Sequence, residues 1–139
     1  MSKSSRASYF LVCENFIVDK SDRVSMVNVF DTVAGPKLPL IPLKFMVAFR
    51  VSLHPGDIKN GFAKIKIELI DESSDVSVLT MEGNAVAGDG SKAISSSFDL
   101  SGKISFPKEG PHKLRLLVGE TELATTSFEV KIINQESEQ

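Results

Sequence analysis

Along most of its 139 residues the chain repeats one pattern, in which apolar and polar side chains alternate. A period of two belongs to the β-strand, because successive side chains of an extended chain point to opposite faces and a single buried face claims every second residue. The clearest stretch is Phe62–Asp71, with Ile65, Ile67 and Leu69 on one face and Lys64, Lys66 and Glu68 on the other. Phe128, Val130 and Ile132 alternate with Ser127, Glu129 and Lys131, and Leu114, Leu116 and Val118 alternate with Lys113, Arg115 and Leu117. Phe45, Val47, Phe49, Val51 and Leu53 oppose Met46, Ala48, Arg50 and Ser52. Further runs at Tyr9–Val18, Val24–Phe30, Val76–Glu82 and Ala93–Leu100 are set off by turn-forming clusters such as His54-Pro55-Gly56-Asp57 and Asp71-Glu72-Ser73-Ser74-Asp75. Leu114, Leu117 and Val118 would share a helix face, but Pro111 and Gly119 bracket too few residues to sustain one. Short strands at this spacing, without intervening helices, predict an all-β antiparallel sandwich of about eight strands.

The length suits one domain, which at this size removes roughly 68–70% of the unfolded chain's surface from water and needs no staple. A single cysteine allows no intrachain disulfide. The expected layout is a flexible 1–8, a sandwich over 9–133 and a polar tail over 134–139. Apolar residues Tyr9–Val12 form too short a run for a secretory signal, no stretch approaches the ~20 apolar residues of a membrane helix, and the expected setting is the cytoplasm. Sixteen basic residues against 18 acidic ones give a net charge of −2, with the basic residues spread along the chain. This argues against nucleic acid as partner, since that affinity comes largely from clustered Lys and Arg. With one Tyr and no Trp, the composition also argues against a carbohydrate platform.

Candidate chemistry is sparse. Cys13 is in phase with Tyr9, Leu11 and Ile17, which predicts a core-facing structural thiol. His54 and His112 each neighbour a proline and are expected in solvated loops. Asp71, Glu72 and Asp75 read as turn residues, because they lack the dense oxygen-ligand spacing of a calcium loop. Gly83–Lys92, which includes Asp89, lacks the Gly-Lys-Ser/Thr ending of a phosphate loop and reads as a hairpin loop. No catalytic residue, metal site or cofactor is expected.

Two features resist a bland reading. Pro36, Pro39 and Pro42 recur every third residue, the repeat of a polyproline II helix, and Pro39–Lys44 matches a PxxP ligand followed by a basic residue. The simpler expectation is a crossover between sheets whose Leu38, Leu40, Ile41 and Leu43 close the open end of the sandwich. Secondly, Met46 and Ala48 are apolar on the face opposite the Phe residues, and Val27 and Val29 oppose Met26 and Phe30 in the same two-sided way. A one-sided antiparallel sheet would place polar residues there. Either the crossover, the simpler cover, or a second chain shields these strands, and Val27, Val29, Met46 and Ala48 are where an interface is expected.

The opening Phe10-Leu11-Val12-Cys13-Glu14, Val18-Asp19 and Val24–Asp31, continued by the crossover and Phe45-Met46-Val47, resembles a family of small bacterial proteins with a domain of unknown function. The closing Phe106-Pro107-Lys108-Glu109-Gly110 with its following hairpin is similar to the last hairpin of immunoglobulin-like sandwiches. There a Tyr often stands two residues after the Gly, where this chain has His112. The resemblance implies an immunoglobulin-like fold in a bacterial cytoplasm and brings no activity with it. The leading expectation is a non-catalytic module that binds another protein or itself. The alternatives are a small-molecule or metal-binding domain using loop residues His54, Asp57, Asp89 and His112, and a structural subunit of a larger assembly.

Overall fold

The computed structural model describes residues 5–21, 23–86 and 93–133. Its strands are β1 (Arg6–Val18), β2 (Val24–Val29), β3 (Thr32–Gly35), β4 (Met46–Ser52), β5 (Phe62–Asp71), β6 (Val76–Val86), β7 (Ala93–Asp99), β8 (Gly110–Val118) and β9 (Thr121–Ile132), with a single 3₁₀ turn at Pro55–Asp57. They form two facing sheets, one in the order β2-β1-β4-β7 and one in the order β3-β9-β8-β5-β6. Every pairing is antiparallel except β3 with β9, which is parallel. In immunoglobulin terms β1, β4 and β7 occupy the places of strands A, B and E, and β9, β8, β5 and β6 those of G, F, C and C′. The fold is therefore an immunoglobulin-like β-sandwich to which β2 has been added.

The strand count exceeds the expected eight by β3, which occupies the start of the proline-rich segment. Only four residues long, it gave no readable alternation. β1 starts at Arg6, inside the stretch expected to be flexible, and Ser5 just before it is buried. The Ser5 hydroxyl donates to Asp57 Oδ2 at 2.6 Å and accepts from the His54 N–H at 2.8 Å, which fastens the first strand to the 3₁₀ turn. Gly83–Val86 extend β6 where a loop was expected, while 87–92, with Asp89, lies outside the described residues. The 134–139 tail lies outside them too.

The alternating residues meet as the pattern requires. Val47, Phe49 and Val51 of one sheet face Ile65, Ile67, Leu69, Leu114, Leu116 and Val118 of the other, all nearly inaccessible to water. At one end Phe45 sits among Phe30, Phe106 and Phe128, with ring centroids 5.7, 6.1 and 5.6 Å away. Tilted and edge-on arrangements of this kind suit the aromatic quadrupole. Only Leu40 of the crossover joins this core, through a two-stranded bridge to Phe106. Leu38, Ile41 and Leu43 stay exposed, Leu43 at 82%, so the expected apolar cap reduces to one residue.

His112 is not a solvated loop residue. It is 1% exposed, stacked on Phe128 at 5.7 Å and edge-on to Phe106 at 5.2 Å. Its Nδ1 lies 3.0 Å from the Gly110 carbonyl, which can only accept, so Nδ1 carries the proton of this hydrogen bond. The residue thus fills the tyrosine place of the immunoglobulin corner, where an aromatic side chain at the start of strand F bonds to backbone just upstream. Asp71, its partner in the β5–β8 register, is likewise buried rather than a solvated turn residue. One carboxylate oxygen takes the Ser73 hydroxyl at 2.6 Å and the Ser73 N–H at 3.0 Å. These bonds, the hydroxyl foremost, hold the Asp71 carboxyl below its ordinary value.

Candidate interaction surface

β1 changes partner part-way along. From Arg6 to Cys13 it pairs with β4, Cys13 pairs with both β4 and β2, and from Asn15 to Val18 it pairs only with β2. The rungs Asn15↔Val27, Phe16↔Met26, Ile17↔Ser25 and Val18↔Val24 therefore form a two-stranded arm running past the end of β4, by about 17 Å at 3.3 Å per residue. Its tip is pinned by Asp19, whose carboxylate accepts from the Ser21 and Arg23 backbone N–H groups and pairs with the Arg23 guanidinium. Those backbone N–H groups, Arg23 first, hold the Asp19 carboxyl below its ordinary range.

The register places all four expected interface residues in three adjoining rows. Val29, Cys13 and Met46 form one cross-strand row, Val27 stands in the next row toward the tip beside Asn15, and Ala48 stands in the row beyond, beside Leu11. All lie on the outer face of the four-stranded sheet, opposite the core. Val29 is 56% and Val27 42% exposed, and Met46 is half-buried. Ala48 is fully buried between its larger neighbours, so it contributes no accessible surface and drops out as an interface residue. Cys13 is another correction: it lies on this outer face, not in the core, because Phe10 and Val12 hold the inward phase of β1. It is nonetheless wholly covered, and burial pushes its thiol above the ordinary value. Ile17, which the sequence put in the same core-facing phase as Cys13, instead extends this patch at 48% exposure, four residues further along β1.

The crossover is not the cover of this face. It lies on the inner side of the arm and forms with it a cleft of about 660 Å³, within the range typical of ligand pockets. Glu14, Asn28 and Phe30 at the base of the arm make one wall, and residues 32–37 and 39–44 make the rest. Asn28, in the left-handed region at φ 52°, donates from Nδ2 to Glu14 Oε1 at 2.8 Å and fixes the first wall. Gly35 fixes the second, because a Cβ there would collide with Leu40 Cδ1.

Of the expected loop residues Asp89 lies outside the described residues, and the other three do not converge. His54 and Asp57 share the 3₁₀ turn that precedes β5, with His54 Nδ1 accepting from Gly56 N–H at 2.9 Å. His112 pairs with Asp71 at the far end of that strand, about 30 Å away along the ten residues of β5. Among the described residues no three His, Cys, Asp or Glu side chains gather as a metal site would require. No helix among them is long and apolar enough to cross a membrane.

Residues 8–131 match the model of a family of unknown function, DUF6941, and the chain belongs to that family. No protein of curated function matches the sequence. Among solved structures, an immunoglobulin-like protein from Pseudomonas aeruginosa is similar at 13% identity and TM-score 0.43, over 91% of this chain and 96% of that one. The Pseudomonas fluorescens alkylpurine DNA glycosylase AlkC, bound to DNA containing an abasic site analog, is similar at 8% identity and TM-score 0.48. That likeness covers 92% of this chain and 30% of the glycosylase.

Proposed function

We propose that this chain is a non-catalytic interaction module of a bacterial cytoplasm, binding another protein or a second copy of itself through the outer face of its four-stranded sheet and the projecting arm. The observation that carries the reading is the two-sided apolar character of the arm. Ile17, Val27 and Val29 lie exposed on one side, with Phe16, Met26 and Val24, half-buried, and Val18, exposed, on the other, where the crossover rather than a sheet stands opposite the base of the arm. An isolated two-stranded hairpin is marginal in water, so an arm of this composition gains from a partner that buries it. A ligand site in the loops has less support, since His54 and Asp57 are tied up in their own turn and His112 is buried at the other end of β5.

Val29→Glu places a charge at an exposed position of the patch without touching the core. Light scattering on the purified protein, and quantitative mass spectrometry of proteins co-purifying from its host, should show a defined dimer or a stoichiometric partner that this substitution removes. A monomer without partners, unchanged by Val29→Glu, would refute the reading. A defined large particle would favour the assembly-subunit alternative.

A further inference from the structure

We propose that the cleft on the inner side of the arm receives an extended, carboxylate-bearing segment of another protein, which adds as a strand along the free edge of β3. The inference rests on the interaction-module reading but assigns a second surface, opposite the patch just described.

The backbone supplies the first argument. β3 is the outermost strand of its sheet. Toward β9 it offers the carbonyls of Asp31 and Gly35, which accept from Glu129 N–H at 2.9 Å and Ile133 N–H at 2.7 Å. Backbone groups alternate sides along a strand, so Val33 also faces β9, while Thr32 and Ala34 direct their N–H and C=O groups the other way. Both residues line the cleft and are exposed, and among the described residues no strand pairs with them there. An incoming extended chain would satisfy these groups, the strand-addition mode in which main-chain bonds give affinity and side-chain pockets give selectivity.

The side chains name the occupant. Phe30, Leu40 and Ile41 offer apolar wall, suited to alternate apolar side chains of the guest. The charged lining residues are Glu14, Lys37 and Lys44. Glu14 is engaged by Asn28, whereas neither lysine forms an ion pair among the described residues. Asn28 holds Glu14 in place without cancelling its charge, but two lysines against one glutamate leave the lining net positive on the crossover, which favours a guest with Asp, Glu or a terminal carboxylate beside its apolar residues.

The test uses the full chain against a phage-displayed library of random peptides, followed by fluorescence anisotropy on labelled synthetic copies of the enriched sequences. The expected result is enrichment of acidic peptides with alternating apolar residues. Their affinity should fall roughly tenfold or more with the Lys37→Glu/Lys44→Glu pair, as loss of close charge pairs does elsewhere. N-methylation of alternate peptide amides should weaken binding similarly, and it leaves the protein untouched, so a misfolded variant cannot mimic the result. Ala34→Pro removes an N–H that faces the cleft and should act in the same sense. Absence of enrichment, enrichment of basic peptides, or binding indifferent to both the lysine reversal and N-methylation would overturn the proposal. A change of oligomeric state with the lysine reversal, without peptide binding, would assign the cleft to a second copy and overturn it equally. In each of those cases Val29→Glu still decides the module reading independently.

Discussion

The centre of the five-stranded sheet and the arm are written in the same residue types but live in different surroundings. In β5 and β8 the rungs Ile65↔Val118, Ile67↔Leu116 and Leu69↔Leu114 point into the space between the sheets, and each of these side chains is at most 2% exposed. In the arm, Val18 is 45% and Val27 42% exposed although their strands pair in regular register. Pairing is therefore not what separates the two regions; the second layer is. Fully burying a Leu or Ile side chain contributes about 1.5–3 kcal/mol, and the arm's exposed Ile17, Val18, Val27 and Val29 forgo much of that. The frame holds itself together, and the arm's apolar residues contribute little to that frame.

The comparison can be tested from its strongest side downward. Phe45→Ala empties the centre of the aromatic cluster and should cost about 3–5 kcal/mol in urea denaturation. A loss as small as that of an arm substitution would erase the distinction. Gly35→Ala forces a Cβ against Leu40 and should cost about 1–3 kcal/mol, the usual range for overpacking. The same substitution should raise hydrogen exchange in the crossover more than in β5.

Acid should probe the frame through Asp71. Its carboxyl titrates below the ordinary 3.8, so its stabilisation is fully present above that value and is lost as the pH falls through the lower folded-state value. Stability against urea measured from pH 5 downward should therefore fall more gently in Asp71→Asn than in the parent chain. The smallest expected effect is that of Val29→Glu, whose stability should stay within about 0.5 kcal/mol of the parent while association is lost. A large destabilisation there would mean that the arm belongs to the frame after all.

Much of the frame was legible because strand alternation is a local property. Phe62–Asp71 announced both its strand and its buried face, and the same holds for β4, β8 and β9. β3 was hidden by its brevity and by the prolines that follow it. His112 was misread through its neighbour Pro111, although a usable signal was present: it is in phase with Leu114, Leu116 and Val118. The candidate surface was legible in part. Val27, Val29 and Met46 stood out as apolar residues on the wrong face, but Ala48 is too small to reach past its neighbours, and Cys13 was assigned to the wrong side of β1.

What the sequence determined by itself, then, is which residues extend, which faces are apolar and where the chain turns, because steric alternation and turn chemistry act over a few residues. Which strand lies beside which was decided only in the tertiary structure. β1 leaves β4 at Cys13 to become half of an arm, β3 crosses to the other sheet to run parallel with β9, and the crossover folds inward onto Gly35 to open a cleft. Each of these depends on pairings between residues far apart in the chain, and an alternating pattern is the same whether its second face meets water, a neighbouring sheet or another protein.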